Sequence, residues 1–331
     1  MNMKNMSFKI YMLFMGFASL LTACKDDGFQ IPVASDKLQN DLIKRSLGPN
    51  IVGGTIEFTY AAAIVPEKGK LVSMSVEASI AGAAGTYLEN KSYYTSSSGA
   101  DVGVEIGDPS TTSGKLTEVV FTADTSAATL RYYYKIPEEA RGAKVSFKFS
   151  AKSSNGETIV HQTEAYEVRR MDMQLDLIAK DAANCYISIA DMKTYDASFA
   201  AANPGKIDLV YLYRALTNVT YGHSLVAPTA DPVYLPSITL PAGLTNRSKI
   251  IKAFTVRDQQ LARMQYGVFV DDVDLLSKDF DDAPDFAINL RAEAGIWLQT
   301  ADGKYNAYIY INSVNNATKE MKISIKRLTV K

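Results

Sequence analysis

Seven aspartates fall between positions 271 and 285, at Asp271, Asp272, Asp274, Asp279, Asp281, Asp282 and Asp285, and hard oxygen ligands at that density could hold Ca²⁺. Asp271, Asp272, Asp274, Asp279 and Asp281 are the candidate ligands. Their spacing lacks the Asp-x-Asp-x-Asp-Gly order of a calcium loop, and Val273, Leu276 and Phe280 predict instead a turn or helix that packs one edge and exposes its acids. Calcium is therefore the one cofactor to test, and a solvated acidic surface is its rival. Paired carboxylates also serve glycoside hydrolysis when they stand about 5 to 9.5 Å apart, a distance invisible in a linear chain. Histidine chemistry has little to work with. Of two histidines, His161 alternates with its neighbours as a strand residue does, and His223, beside Tyr221 and Gly222, is the one placed to line a loop site. There is no His-x-x-x-His, His-Glu-x-x-His, Cys-x-x-Cys or Gly-x-Ser-x-Gly motif and no phosphate-cradling glycine loop, so no catalytic residue is assigned and a non-catalytic role is expected.

Aromatic residues offer a different chemistry. Tyr211 with Tyr213, and Tyr308 with Tyr310, sit two apart on strand-like runs and so share a face. Exposed, such rings would stack on the apolar faces of sugars while Asn306 or Asn312 bonded their hydroxyls. Together with His223 they are the candidate ligand-binding residues. The rival is plain packing, because tyrosine favours strands for its own reasons and the chain holds 19 of them. Tyr132-Tyr133-Tyr134 must send at least one ring to the face opposite its neighbours. Trp297, inside Ile296-Trp297-Leu298, is expected in the core.

The elements that must position these groups are mostly strands. Asp36, with Gln39 three residues on and Leu38, Leu42 and Leu47 as an apolar edge, predicts a short helix ended by Gly48-Pro49. From Val52 the period changes to two. Strands are predicted at 55–60, 71–80, 116–121, 129–136, 144–151 and 158–168, with turns at Glu67-Lys68-Gly69-Lys70, Gly107-Asp108-Pro109 and Ser153-Ser154-Asn155-Gly156. Asn155-Gly156 marks the clearest hairpin. The pattern pauses at Arg169-Arg170-Met171, after which strands are predicted at 175–178, 185–189, 207–213, 250–256, 266–270, 287–289, 295–300, 305–312 and 321–329, with short helices at 196–202 and 257–264. Proline sets the long stretch 227–243 as an extended loop, through Pro228, Pro232, Pro236 and Pro241. The expected fold is all-β: an immunoglobulin-like sandwich with a short N-terminal helix over residues 36–170, then a β-sandwich or jelly-roll-like domain with short helices over 171–331.

Ahead of these bodies lies a different kind of segment. Lys4 and Lys9 precede an uncharged run, Ile10 to Leu21, too short to span a bilayer as a stable helix. Leu21-Thr22-Ala23-Cys24 resembles the lipobox of bacterial lipoproteins, which implies a signal peptide over residues 1–23 and acylation of Cys24. Several acyl chains anchor where one binds only marginally. Lys25-Asp26-Asp27 resembles the short acidic export tag of Bacteroidetes lipoproteins, so residues 24–35 read as a lipidated tether and the expected address is the outer membrane, facing the cell exterior. Over the full chain 35 Lys and Arg meet 36 Asp and Glu, a net charge of −1. Losing Lys4 and Lys9 with the leader leaves no basic field for nucleic acid. Cys185 then has no partner for an intrachain disulfide, and its strand-like setting predicts an ordinary buried thiol.

Three segments carry a family resemblance: Ser46-Leu47-Gly48-Pro49-Asn50-Ile51-Val52-Gly53, the run from Arg131 to Gly142, and the run from Asn203 to Arg214. Together they resemble the DUF4466 family of Bacteroides lipoproteins over nearly the whole mature chain. The resemblance implies an N-terminal immunoglobulin-like domain and a C-terminal β-rich domain, and it brings no catalytic residues. The expectation is a surface lipoprotein that binds a glycan or glycoconjugate through its C-terminal domain, with the first domain as spacer. Two rivals are a subunit docking another outer-membrane protein and a hydrolase with an unrecognised carboxylate pair.

Overall fold

Alternation along Thr55–Ala63 sends Ile56, Phe58 and Tyr60 inward while Glu57 and Thr59 face out, which is why this segment is a strand with one wet face. The computed structural model of the chain describes residues 36–217 and 219–331. In its first half, Thr55–Ala63 lies between Gln39–Lys44 and Ala127–Lys135, and Tyr87–Leu88 completes a four-stranded sheet beyond the latter. A five-stranded sheet packs against it, in the order Thr158–Gln162, Phe147–Ser153, Leu71–Ala78, Leu116–Val120, Thr111–Ser113. All pairings in the two sheets are antiparallel. Phe58 meets Phe147 and Phe149 at 5.0 and 5.2 Å between ring centroids, and Tyr134 meets Phe147 at 4.9 Å, edge to face. These contacts knit the two inner faces into one immunoglobulin-like core.

The predicted N-terminal helix is a strand instead. Gln39–Lys44 pairs along its whole length with Phe58–Ala63, half-burying Asn40, Leu42 and Lys44 on one side and exposing Asp41 and Ile43 on the other. A single helical turn is costly to nucleate, whereas the neighbouring strand offers partners for the backbone at every second residue. The Asn155-Gly156 hairpin forms as expected, with Lys152 opposite Thr158. Only Gly156 takes a positive φ, at 89°, while the Gly156 amide donates to the Ser153 carbonyl at 3.1 Å. This is a three-residue turn with glycine in the left-handed position. Gly156→Ala should therefore lower stability by about 1–2 kcal/mol, read as a fall in urea midpoint at unchanged m-value.

The second half repeats the two-sheet plan. One sheet runs Asp172–Lys180, Glu320–Thr329, Tyr305–Asn315, Gly295–Gln299, Lys249–Ala253, and the other runs Lys193–Tyr195, Tyr186–Ser188, Leu209–Leu216, Val219–Val226, Phe286–Leu290. Ile309, Ile311, Ile323 and Ile325 face Ile187, Leu209 and Leu225 across the core. The helix Ala197–Ala202 is capped by Asp196, whose carboxylate accepts from the Phe199 amide. The predicted strand 266–270 is not formed. Gly267 turns there at a φ of 144°, and a single bridge joins Val268 to Asp258.

What the strand pattern hides is an excursion over the outside of the first of these sheets. The short helices Gln259–Ala262 and Asp272–Leu276 lay Leu261, Val270, Leu275 and Phe280 on Trp297, Tyr308, Tyr310 and Leu328. Its only internal charge is paired: Lys326 donates to Asp258 at 2.6 Å and to the Val270 carbonyl at 2.8 Å. Asp258 also accepts from the Leu261 and Val270 amides. Ile51 and Met171 join the same cluster, and Arg169 reaches Asp271 and Asp272 at 3.2 Å each, so the excursion is also where the first half meets the second.

Candidate functional site

The excursion decides the fate of the tyrosines on the Tyr305–Asn315 strand. Tyr308 and Tyr310 do share a face, but they lie beneath Leu261 and Leu275, 0% and 2% exposed. The Tyr308 hydroxyl donates to the Val256 carbonyl, and the amides of Asn306 and Asn312 donate to Leu275 and Leu261 carbonyls at 2.8 Å. No ring face or amide is left for a sugar there. Trp297 is in the core as expected, 4.5 Å from Tyr308. Tyr211 is fully buried, Tyr213 is half-buried, and His223 is buried beside both. The Tyr211 hydroxyl bonds His223 Nδ1 at 2.7 Å, and His223 Nε2 bonds Asn316 Oδ1 at 2.8 Å. Since the amide oxygen only accepts, Nε2 carries the proton and Tyr211 donates to Nδ1. Burial holds the imidazole below its ordinary pKa, so the ring is a neutral structural link.

The acidic cluster resolves into capping and pairing. Asp271 caps Asp272–Leu276, accepting from the Val273 and Asp274 amides, while Asp274 accepts in return from the Asp271 amide. Leu275 and Phe280 are the buried edge, and Val273 and Leu276 face out at 64% and 58% exposure, the reverse of the predicted edge apart from Phe280. Asp279 accepts from the Asp281 amide and Asp285 pairs with Arg247. Among the described residues no three His, Cys, Asp or Glu side chains converge as a metal site. Cys185 is buried, its thiol pushed up to about 11 by that burial. Cys24, Lys25, Asp26 and Asp27 lie outside the described residues.

Exposed aromatic surface appears elsewhere, on the outer face of the first sheet. In Ala127–Lys135, Tyr132 and Tyr134 point into the core and Tyr133 points out. Its neighbour across the ladder is Tyr87, and the two rings stack at 4.8 Å with 17° between their planes. Tyr87 is 43% exposed. On the other flank Tyr133 stands opposite Glu57. The hairpin of Lys91–Thr95 and Asp101–Glu105 then folds beside this row, held by the Thr129 amide on Ser92 Oγ at 3.0 Å. Tyr93 from that hairpin lies 3.7 Å beneath the Arg131 guanidinium, which also pairs with Asp101. Tyr93 bonds Glu89, which raises the phenol pKa, and burial raises it further; for Tyr87 and Tyr133 burial is the main cause of the same direction. All three phenols are therefore neutral donors near pH 7. Flat apolar rings rimmed by Glu57, Glu89 and Arg131 are the chemistry that holds sugars: ring faces for C–H bonds, fixed charges for hydroxyls.

A solved DUF4466 family protein from Parabacteroides merdae is 42% identical to this chain, covers 90% of it and is itself covered completely, with a TM-score of 0.84. The chain belongs to the DUF4466 family. The DUF4466 profile, a domain of unknown function, matches residues 35–168, and the profile of a second domain of unknown function, DUF8576, matches residues 169–330. The two profiles meet where the first pair of sheets gives way to the second. Two other solved structures are distant. The major pilin GBS80 of Streptococcus agalactiae is 13% identical over 56% of this chain and 74% of its own fragment, with a TM-score of 0.28, and a Clostridium perfringens cohesin module is 13% identical over 39% and 97%, with a TM-score of 0.23. No curated protein matches.

In this DUF4466 protein the sequence pointed to one member of the aromatic face, Tyr133, through the Tyr132-Tyr133-Tyr134 run. Tyr87, Tyr93, Glu89 and Arg131 were missed. Tyr87 lies on a two-residue strand and Tyr93 in a Ser- and Gly-flanked hairpin, both without a sustained period, so only the ladder partner of Tyr133 reveals them.

Proposed function

We propose that this DUF4466 protein is a lipid-anchored protein of the outer-membrane surface that binds a glycan or glycoconjugate without chemistry. The binding face is the outer side of the first sheet rather than the C-terminal domain, because Tyr211, Tyr308 and Tyr310 of that domain are buried and Tyr213 is half-buried. The observation that carries the reading is the Tyr87–Tyr133 stack, open to solvent at Tyr87 and bordered by charged side chains. The address rests on the Leu21–Cys24 and Lys25–Asp27 runs.

The rival reading, a subunit docking another outer-membrane protein, draws on Tyr266, Val268, Val273 and Leu276, exposed along the excursion. Point changes separate the two. Tyr87→Ala and Tyr133→Ala should each weaken saccharide retention about two- to tenfold in affinity electrophoresis, since stacking on an aromatic ring is worth ~0.5–1.5 kcal/mol, and Tyr266→Ala should leave it unchanged. Retention that falls with Tyr266→Ala and not with the stacked pair would move the site to the excursion.

A further inference from the structure

Among the described residues Asp208 and Asp258 are the buried acids, and Asp208 differs in pairing with no cation. Asp258 has Lys326, Asp181 has Arg214 at 2.5 Å, and Asp271 and Asp272 share Arg169. Asp208 is 6% exposed and accepts one hydrogen bond, from the Ile189 amide to Oδ2 at 2.7 Å. Its other oxygen has no hydrogen-bond partner among the described residues. It borders a cavity of about 230 Å³, which Lys206, Asn246, Thr300, Asp302 and Tyr305 also line.

The charges that reach Asp208 are Asp302 and Asp191, both of its own sign. The cations nearby are engaged elsewhere. Lys206 pairs with Asp191 at 3.3 Å, Arg327 pairs with Asp172 and donates to the Ile189 and Ala190 carbonyls, and Lys304 lies 5.2 Å over the Tyr305 ring. Asn246 gives its amide hydrogens to the Gly205 and Ile207 carbonyls. Asp302 uses one oxygen for the Thr300 hydroxyl and the Lys304 amide, at 2.6 and 2.9 Å, and makes no hydrogen bond with the other. Asp208 therefore keeps one oxygen without a hydrogen bond at a small cavity that the exposed Asp302, also with one oxygen free of hydrogen bonds, borders too. A buried charge without a counter-charge is costly, and the cavity is where one would enter.

The chemistry of that counter-charge follows from the lining. No histidine or cysteine is present and both anionic groups are carboxylates, the donor set of a hard cation. An organic ammonium would look for an open aromatic face, and the Tyr305 ring already has Lys304 and Arg327 over it. A glycosidase would need room for a sugar on each side of a scissile bond, and this volume is below the ~300 Å³ at which ligand pockets begin. We propose that a divalent cation of the calcium class binds between Asp208 and Asp302, with water completing its shell. It would tie the Thr300–Lys304 turn of one sheet to the segment leading into the Leu209–Leu216 strand of the other.

The test is thermal unfolding of the mature chain in EDTA and across a CaCl₂ titration, with terbium luminescence sensitised through Tyr305 as a second readout. Calcium should raise the melting temperature saturably, by about 3–8 °C at ~1–10 mM, concentrations above the ~0.1–1 mM dissociation constants of weak extracellular sites. Asp208→Asn and Asp302→Asn should each remove the shift and the luminescence while the chain still melts cooperatively. MgCl₂ should do less. A wild-type chain that melts at one temperature in EDTA and in calcium would overturn the proposal, and so would a shift of equal size in both variants.

Discussion

Lys326→Met should cost about 3–5 kcal/mol of folding stability, close to the whole margin of many domains. The reason is what methionine would leave behind. Lys326 and Asp258 are both 0% exposed, and the ammonium is the charge that balances the carboxylate inside the layer between the sheet and its excursion. Burial lowers the lysine pKa and Asp258 opposes that shift, so charge on one partner depends on the other. Without Lys326 the carboxylate stays buried, because the Leu261 and Val270 amides still hold it at 2.8 and 2.6 Å. Adding Asp258→Asn should recover a substantial part of the loss, since the amide oxygen keeps one of those bonds and carries no charge. Urea unfolding of both variants is the measurement. A single variant within 0.5 kcal/mol of wild type would mean that water reaches the pair.

Asp208→Asn should act in the opposite direction. Burial, with Asp302 and Asp191 adding to it, raises this carboxyl from 3.8 to about 7. A group whose folded pKa lies above its unfolded value keeps its proton in the folded state where the unfolded chain has lost it. Stability from this group is therefore complete below about pH 4 and is lost as pH rises toward 7, an upper bound of roughly 4 kcal/mol. At pH 8 in EDTA, asparagine should return about 2–4 kcal/mol and several degrees in melting temperature. At pH 4 the two chains should melt together. A variant less stable than wild type at both pH values would mean that the aspartate is held by a partner its surroundings do not show.

Much of the fold was legible because one-sided strands announce themselves. Thr55–Ala63, Phe147–Ser153 and Ala127–Lys135 each alternate cleanly, and each has one face in a core and one in water. Other strands were lost to single residues. Val219–Val226 bends at Gly222, whose φ is 61°, and the hairpin carrying Tyr93 turns through Ser96-Ser97-Ser98-Gly99, which reads as a plain loop. The candidate site was misplaced for a different reason. Alternation told which tyrosines share a face, and that was right for Tyr308 and Tyr310, but exposure of the face depends on Leu261 and Leu275, some fifty and thirty residues away. Burial set by a distant segment leaves no local period. Asp208 did carry a trace, a lone charge between Ile207 and Leu209 in an otherwise apolar run.

The claim on which the functional account turns is that the outer tyrosine face of the first sheet holds sugar. A glycan array probed with the soluble chain from Gly28 onward addresses it directly. Binding to a defined group of saccharides is expected, lost together in the Tyr87→Ala and Tyr133→Ala variants and insensitive to EDTA, which keeps it distinct from the cation proposed at Asp208. A chain that binds no saccharide above a buffer control, across diverse polysaccharides and host-type glycans, would contradict the account.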